Sequence, residues 1–140
     1  MSNTQTRDEN QLITEFYFPC VVYSIKKPEF LFAVKEVAME HLEKIEKVAD
    51  ELYPLKMTDN FYNDERIKDF AAFVGSTAWN ILEAQGCNTD NLNTTFQEMW
   101  CQEHHKHSAM DEHVHGFGAQ IVGFYFLETP KNCSKTVIHD

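Results

Sequence analysis

EMWCQEHHKHSAMDEHVHGFGAQIVGFYFLETPKNCSKTVIHD, residues 98–140, decides how this chain reads. Around it the hydrophobic period turns from helical to β. Residues 94–102 (TTFQEMWCQ) mix alternation with aromatics, residues 119–127 (AQIVGFYFL) are almost continuously apolar, and residues 135–139 (KTVIH) begin another β-branched run. These segments predict strands, the middle one buried on both faces. Between the first two lies a loop over residues 104–118 that holds five of the seven histidines.

Upstream, the period is helical. Pro28 suits the first turn of a helix. Leu31, Val34, Ala38, Leu42, Ile45, Ala49 and Leu52 then recur at three- to four-residue spacing. That stripe predicts a helix over residues 29–53, packed on the sheet and stopped by Pro54. After a connector, residues 54–63, Asn63 or Asp64 can cap a second helix. Its buried stripe is Ile67, Phe70, Ala71, Val74, Ala78, Ile81 and Leu82, and Gly86 is placed to end it. Residues 87–94 are a polar link. Residues 16–25 (FYFPCVVYSI) predict an early strand, at an edge or bulged because of Pro19.

The order is α+β: two helices packed on an incomplete sheet. Residues 1–15 are expected to be a polar leader and residues 16–140 a single domain, truncated within its sheet, since nothing closes the last strands.

Composition narrows the function. Twelve Lys and Arg face 22 Asp and Glu, a formal net charge of −10. Phosphate backbones require clustered positive charge, so nucleic acid and anionic membrane surfaces are disfavoured as partners. No apolar run approaches the roughly 20 residues needed to cross a bilayer, and the leader has no apolar signal-peptide core. Cys20, Cys87, Cys101 and Cys133 show no CxxC spacing and read as free, small buried side chains in a reducing cytoplasm.

The chemistry-bearing feature is His113-Val114-His115. On an extended strand residues i and i+2 share a face, with Cα atoms roughly 6–7 Å apart. Two imidazoles so placed can converge on one metal ion while Val114 turns away into packing. Neutral imidazole suits iron, zinc, copper and nickel, and a third ligand from elsewhere would leave positions open for catalysis. His104, His105 and His107 read as solvated loop residues, and Asp111 as a possible hydrogen-bond partner of a ligand histidine. His41 and Glu43 share no helix face and are not a chelating pair. No nucleophile elbow or phosphate-binding glycine loop is present.

In this context the stretch resembles a family of 2-oxoglutarate/Fe(II)-dependent oxygenases found in marine bacteria and in tailed phages of cyanobacteria. The features carrying the resemblance are Trp100, the His113/His115 pair, the strand Val122-Gly123-Phe124-Tyr125-Phe126, Pro130 in a turn, and Val137 to Asp140. The resemblance implies a double-stranded β-helix, or jelly roll, with Fe(II) at one mouth and 2-oxoglutarate as cosubstrate. It implies His113 as first iron ligand and His115 where most related oxygenases carry Asp or Glu. Tyr125 is a candidate for binding the cosubstrate. The distal histidine and the basic residue that anchors the 2-oxoglutarate carboxylate are expected beyond residue 140, because Arg7, Arg66 and His139 do not fit those places. The implied location is the cytoplasm, that of the host if the protein is phage-encoded. A cupin is the nearest competitor, but Gln120 stands where its Glu belongs and Gly123 comes too early. A non-enzymatic phage interaction or structural domain is the other alternative.

Overall fold

The structure, a computed structural model, describes residues 21–46, 55–116 and 118–138. The expected leader and most of the early strand lie outside them. Residues 27–133 form one compact unit, and the described residues 21–26 and 134–138 belong to another.

The larger unit is a small α+β arrangement. A 3-10 turn, Pro28–Phe30, leads into helix α1, Leu31–Glu43. Strand β1, Leu55–Met57, comes next, followed by a second 3-10 turn, Glu65–Ile67, that opens helix α2, Lys68–Ala84. Strand β2, Gln102–His104, pairs antiparallel with β1 in the register Leu55 to His104 and Met57 to Gln102.

The core gathers where the start of α2 meets α1. Val34, Val37, Ala38, Phe61, Ile67 and Phe70 are buried together, with Phe30, Val74, Met99, Cys101, Tyr125 and Leu127 packed around them. The α1 stripe is thus Val34, Val37/Ala38 and Leu42, a run that includes a fully buried Val37 the spacing argument left out. It packs largely on helical turns and aromatic rings rather than on the sheet. α1 also stops at Glu43 instead of continuing toward residue 53. Lys44 and Ile45 close it with N–H bonds to His41 and Leu42. Helix-forming side chains alone hold a short helix weakly, and Leu42 is the last residue of α1 with a buried face. The remainder of that expectation, residues 47–54, lies outside the described residues.

Asp64 caps the 3-10 turn that opens α2, while α2 itself follows Ile67 without a side-chain cap, and its end is the one its sequence indicates. The Asp64 carboxylate accepts the Arg66 N–H at 2.9 Å. At the other end Gly86 has φ +85, the Gly86 N–H bonds Glu83 O, and the Cys87 N–H bonds Leu82 O. This pair of bonds is a Schellman termination. A Cβ on Gly86 would meet nothing within 4 Å, so Gly86→Ala isolates the backbone penalty. It is expected to cost about 1–2 kcal/mol, read as a shift of the urea midpoint at unchanged slope.

Three expected strands are not regular strands here. Residues 21–25 and 135–138 form none, and Val21, Val22, Val137 and Ile138 are exposed. In residues 119–127 Tyr125 and Leu127 pack on the core, while Val122, Phe124 and Phe126 are exposed. The segment therefore half-buries alternate residues on one side from Tyr125 onward, not both sides, and Ile121 of the same alternation is exposed. Continuous apolarity cannot distinguish those two arrangements. The strand expected at residues 94–102 begins only at Gln102, and its partner lies in what read as a connector.

An ionic clasp joins α1 to the start of α2. Arg66 makes a two-pronged bond to Glu40, at 2.7 and 2.9 Å, and holds Asp64 at 2.8 and 3.0 Å. The guanidinium bonds keep the Glu40 carboxyl below its usual range and, together with the Arg66 N–H, depress Asp64 to about 2. Depressed carboxyls stabilise the folded state above their unfolded pKa, near 4, and lose that contribution as pH falls through the folded value. Wild-type stability is therefore expected to drop between about pH 4 and pH 2. An Arg66→Met variant should lose most of that dependence, as measured by urea midpoints at pH 7, 4 and 2.5.

Candidate metal site

The site is built on residues 99–104. β1 and β2 are short, and their ladder is prolonged partly by side chains. The Thr58 N–H donates to Cys101 O at 3.0 Å, and the Cys101 N–H returns a bond to Thr58 Oγ1 at 2.9 Å. Two residues on, the Phe61 N–H donates to Met99 O, and the Met99 N–H to Asn60 Oδ1, both at 3.0 Å. Met99 and Cys101 lie against the core. Successive side chains of an extended segment alternate, so Trp100 faces away from it.

After β2 the chain reverses through Lys106 and His107, whose φ is 69. The Ser108 N–H bonds His105 O across this turn. The returning segment brings His115 beside Trp100, ring centres 6.2 Å apart, and His113 beside His115 at 5.4 Å. His113 Nδ1 lies 2.9 Å from Asp111 O. A carbonyl only accepts, so Nδ1 donates this bond, and Nε2 is the nitrogen left to face an ion. Asp111 thus orients His113 through its backbone rather than its carboxylate.

The 5.4 Å between ring centres falls within the spacing of two imidazoles on one ion. With metal–nitrogen bonds of about 2.1 Å, neighbouring ligand rings have centres roughly 4.5–5.5 Å apart. Both histidines are exposed and lie outside any regular strand. Val114 is 91% exposed rather than packed. Among the described residues, no three or more His, Cys, Asp or Glu side chains gather as a complete metal-holding group.

The other candidates are placed elsewhere. Tyr125 donates its hydroxyl to Lys27 O at 2.6 Å and sets its ring 4.8 Å from Phe70. Partial burial, and to a lesser degree Glu29, push that phenol's pKa up. His104 closes β2 with Nδ1 3.0 Å from Ser108 Oγ, and His105 Nε2 is 3.1 Å from Glu103. His41 stacks on Phe61. His139 lies outside the described residues. Cys87 and Cys133 are exposed, not buried, and Cys101 is half-buried with burial raising its pKa.

Thr58 and Asn60 were not anticipated. The available signal was their residue type, since short hydroxyl and amide side chains substitute for backbone partners. Among the described residues no helix is long and apolar enough to cross a membrane. Comparison of the chain with protein-family models, curated proteins and solved structures gives no match in any of the three.

Proposed function

We propose that this chain is an Fe(II)/2-oxoglutarate-dependent dioxygenase, a hydroxylase in a cytoplasmic setting, with His113 and His115 as two iron ligands on a jelly-roll scaffold. The observation supporting this reading most directly is the pair of imidazoles 5.4 Å apart, within a sequence stretch that resembles such oxygenases. Bound Fe(II) would supply O₂ activation coupled to oxidation of 2-oxoglutarate to succinate and CO₂. His113 would bind through Nε2, held by Asp111 O, and Trp100 would cover one side of His115.

The remaining ligand and the cosubstrate's carboxylate anchor are not assigned. Arg66 is engaged by Glu40 and Asp64, and Tyr125 by Lys27. Tyr125 can serve the cosubstrate only by giving up that carbonyl bond.

The test is an anaerobic Fe(II) titration with 2-oxoglutarate, followed by admission of air. A visible charge-transfer band that needs both additions, then succinate release, is the expected result. Tight zinc binding at His113 and His115 with neither signal would replace this reading with the non-enzymatic one.

A further inference from the structure

Two further metal donors meet at the Met57 end of the β1–β2 pair, on the face whose other end holds the buried Leu55. Met57 and Gln102 are directly opposed in the ladder, which places their side chains on one face. Gln102 Nε2 lies 3.5 Å from Met57 Sδ and 3.4 Å from Met110 Sδ, so one amide spans two thioethers from different parts of the chain. The sulfurs are not core filling, for Met57 is 40% and Met110 42% exposed. His104 lies two residues along β2 from Gln102, hence on the same face. With its Nδ1 at Ser108 Oγ, its Nε2 is the ring nitrogen available as a third donor. Cys101, which precedes Gln102, packs against the core.

We propose that Met57, Met110 and His104 form a site for a soft monovalent cation, copper(I) by chemical class, with the Gln102 amide swinging aside on binding. Thioethers are weak hydrogen-bond acceptors and good ligands for soft ions. Replacing two N–H···S contacts with metal–sulfur bonds therefore gives up little. This site shares no residue with His113 and His115 and does not depend on the oxygenase reading.

Silver nitrate is the probe, a redox-inert ion of the same softness. The protein is labelled at its methionine methyls and carries Cys20→Ser, Cys87→Ser, Cys133→Ser and Cys101→Ala, so thiolates do not compete. Circular dichroism confirms that the background remains folded. The Met57 and Met110 methyl resonances are expected to shift together and saturate at one equivalent. Met39, exposed to a similar degree on α1, should not follow them. Met57→Leu or Met110→Leu, which retain size and apolarity, should each weaken silver binding roughly 10–100-fold, and His104→Ala should weaken it further. The His113→Ala/His115→Ala variant should bind silver at Met57 and Met110 as before. Equal shifts at Met39, or unchanged affinity in either leucine variant, would overturn the proposal.

Discussion

Phe70→Ala is expected to destabilise the protein by about 3–5 kcal/mol. Phe70 is 7% exposed and lies on the first turn of α2, where three separate parts of the chain meet. Phe30, from the turn before α1, contacts it edge-on at 5.6 Å, and Tyr125 lies at 4.8 Å. Removing the ring leaves a cavity between groups that hold one another in place, including the Tyr125 hydroxyl on Lys27. A small domain has about 5–15 kcal/mol in all, so the variant should sit near its unfolding midpoint in little urea. Phe32→Ala is the control. It removes the same ring from a position 82% exposed on α1 and should change stability by no more than about 0.5 kcal/mol. Equal effects from the two substitutions would mean that the packing of α1, α2 and Tyr125 is misassigned.

The second large effect concerns the histidine pair. His113→Ala and His115→Ala are each expected to weaken Fe(II) or Co(II) binding by at least roughly 100-fold, beyond what residues behind a ligand cause. Neither should reduce stability appreciably, because both side chains are exposed. Trp100 supplies a readout independent of turnover. It lies 6.2 Å from the His115 ring, so a paramagnetic ion there should quench it. Trp79, bonded to Glu83 on α2, is changed to Phe to leave one emitter. Quenching that persists unchanged in the double variant would remove the metal site from this loop.

Local signals in the sequence carry through to the structure, and long-range pairings are not encoded in any one segment. The Asp64 cap and the Gly86 termination depend on neighbours within a few residues, and both stand where residue type placed them. The stripe of α2 holds at Ile67 and Phe70 but loosens toward Ile81 and Leu82, which are only half-buried. Periodicity identifies a face without saying how far a partner extends along it. β1 escaped notice because three residues, Leu-Lys-Met, carry no pattern of their own. Their pairing is set by residues more than 40 positions away. His113 and His115 lie side by side, but not on the strand that the spacing argument assumed, and the bond orienting His113 comes from a backbone carbonyl, to which residue type gives no clue.

The rungs made by Thr58 and Asn60 bear on how the chain reaches this arrangement. A pairing of three residues is too short to choose its own alignment, since a slip by one would still form similar bonds. Across the pairing, Thr58 accepts from the Cys101 amide and Asn60, which also accepts from Tyr62 close by, from that of Met99; a shifted ladder would leave Cys101 and Met99 without those acceptors. They act as a two-toothed key that admits a single alignment. The partners are 43 and 39 residues apart, so the key can turn only after a long loop has closed, a step slower than the folding of either helix. In hydrogen-exchange pulse labelling during refolding, the amides of Met99 and Cys101 should gain protection after those of α2, and together.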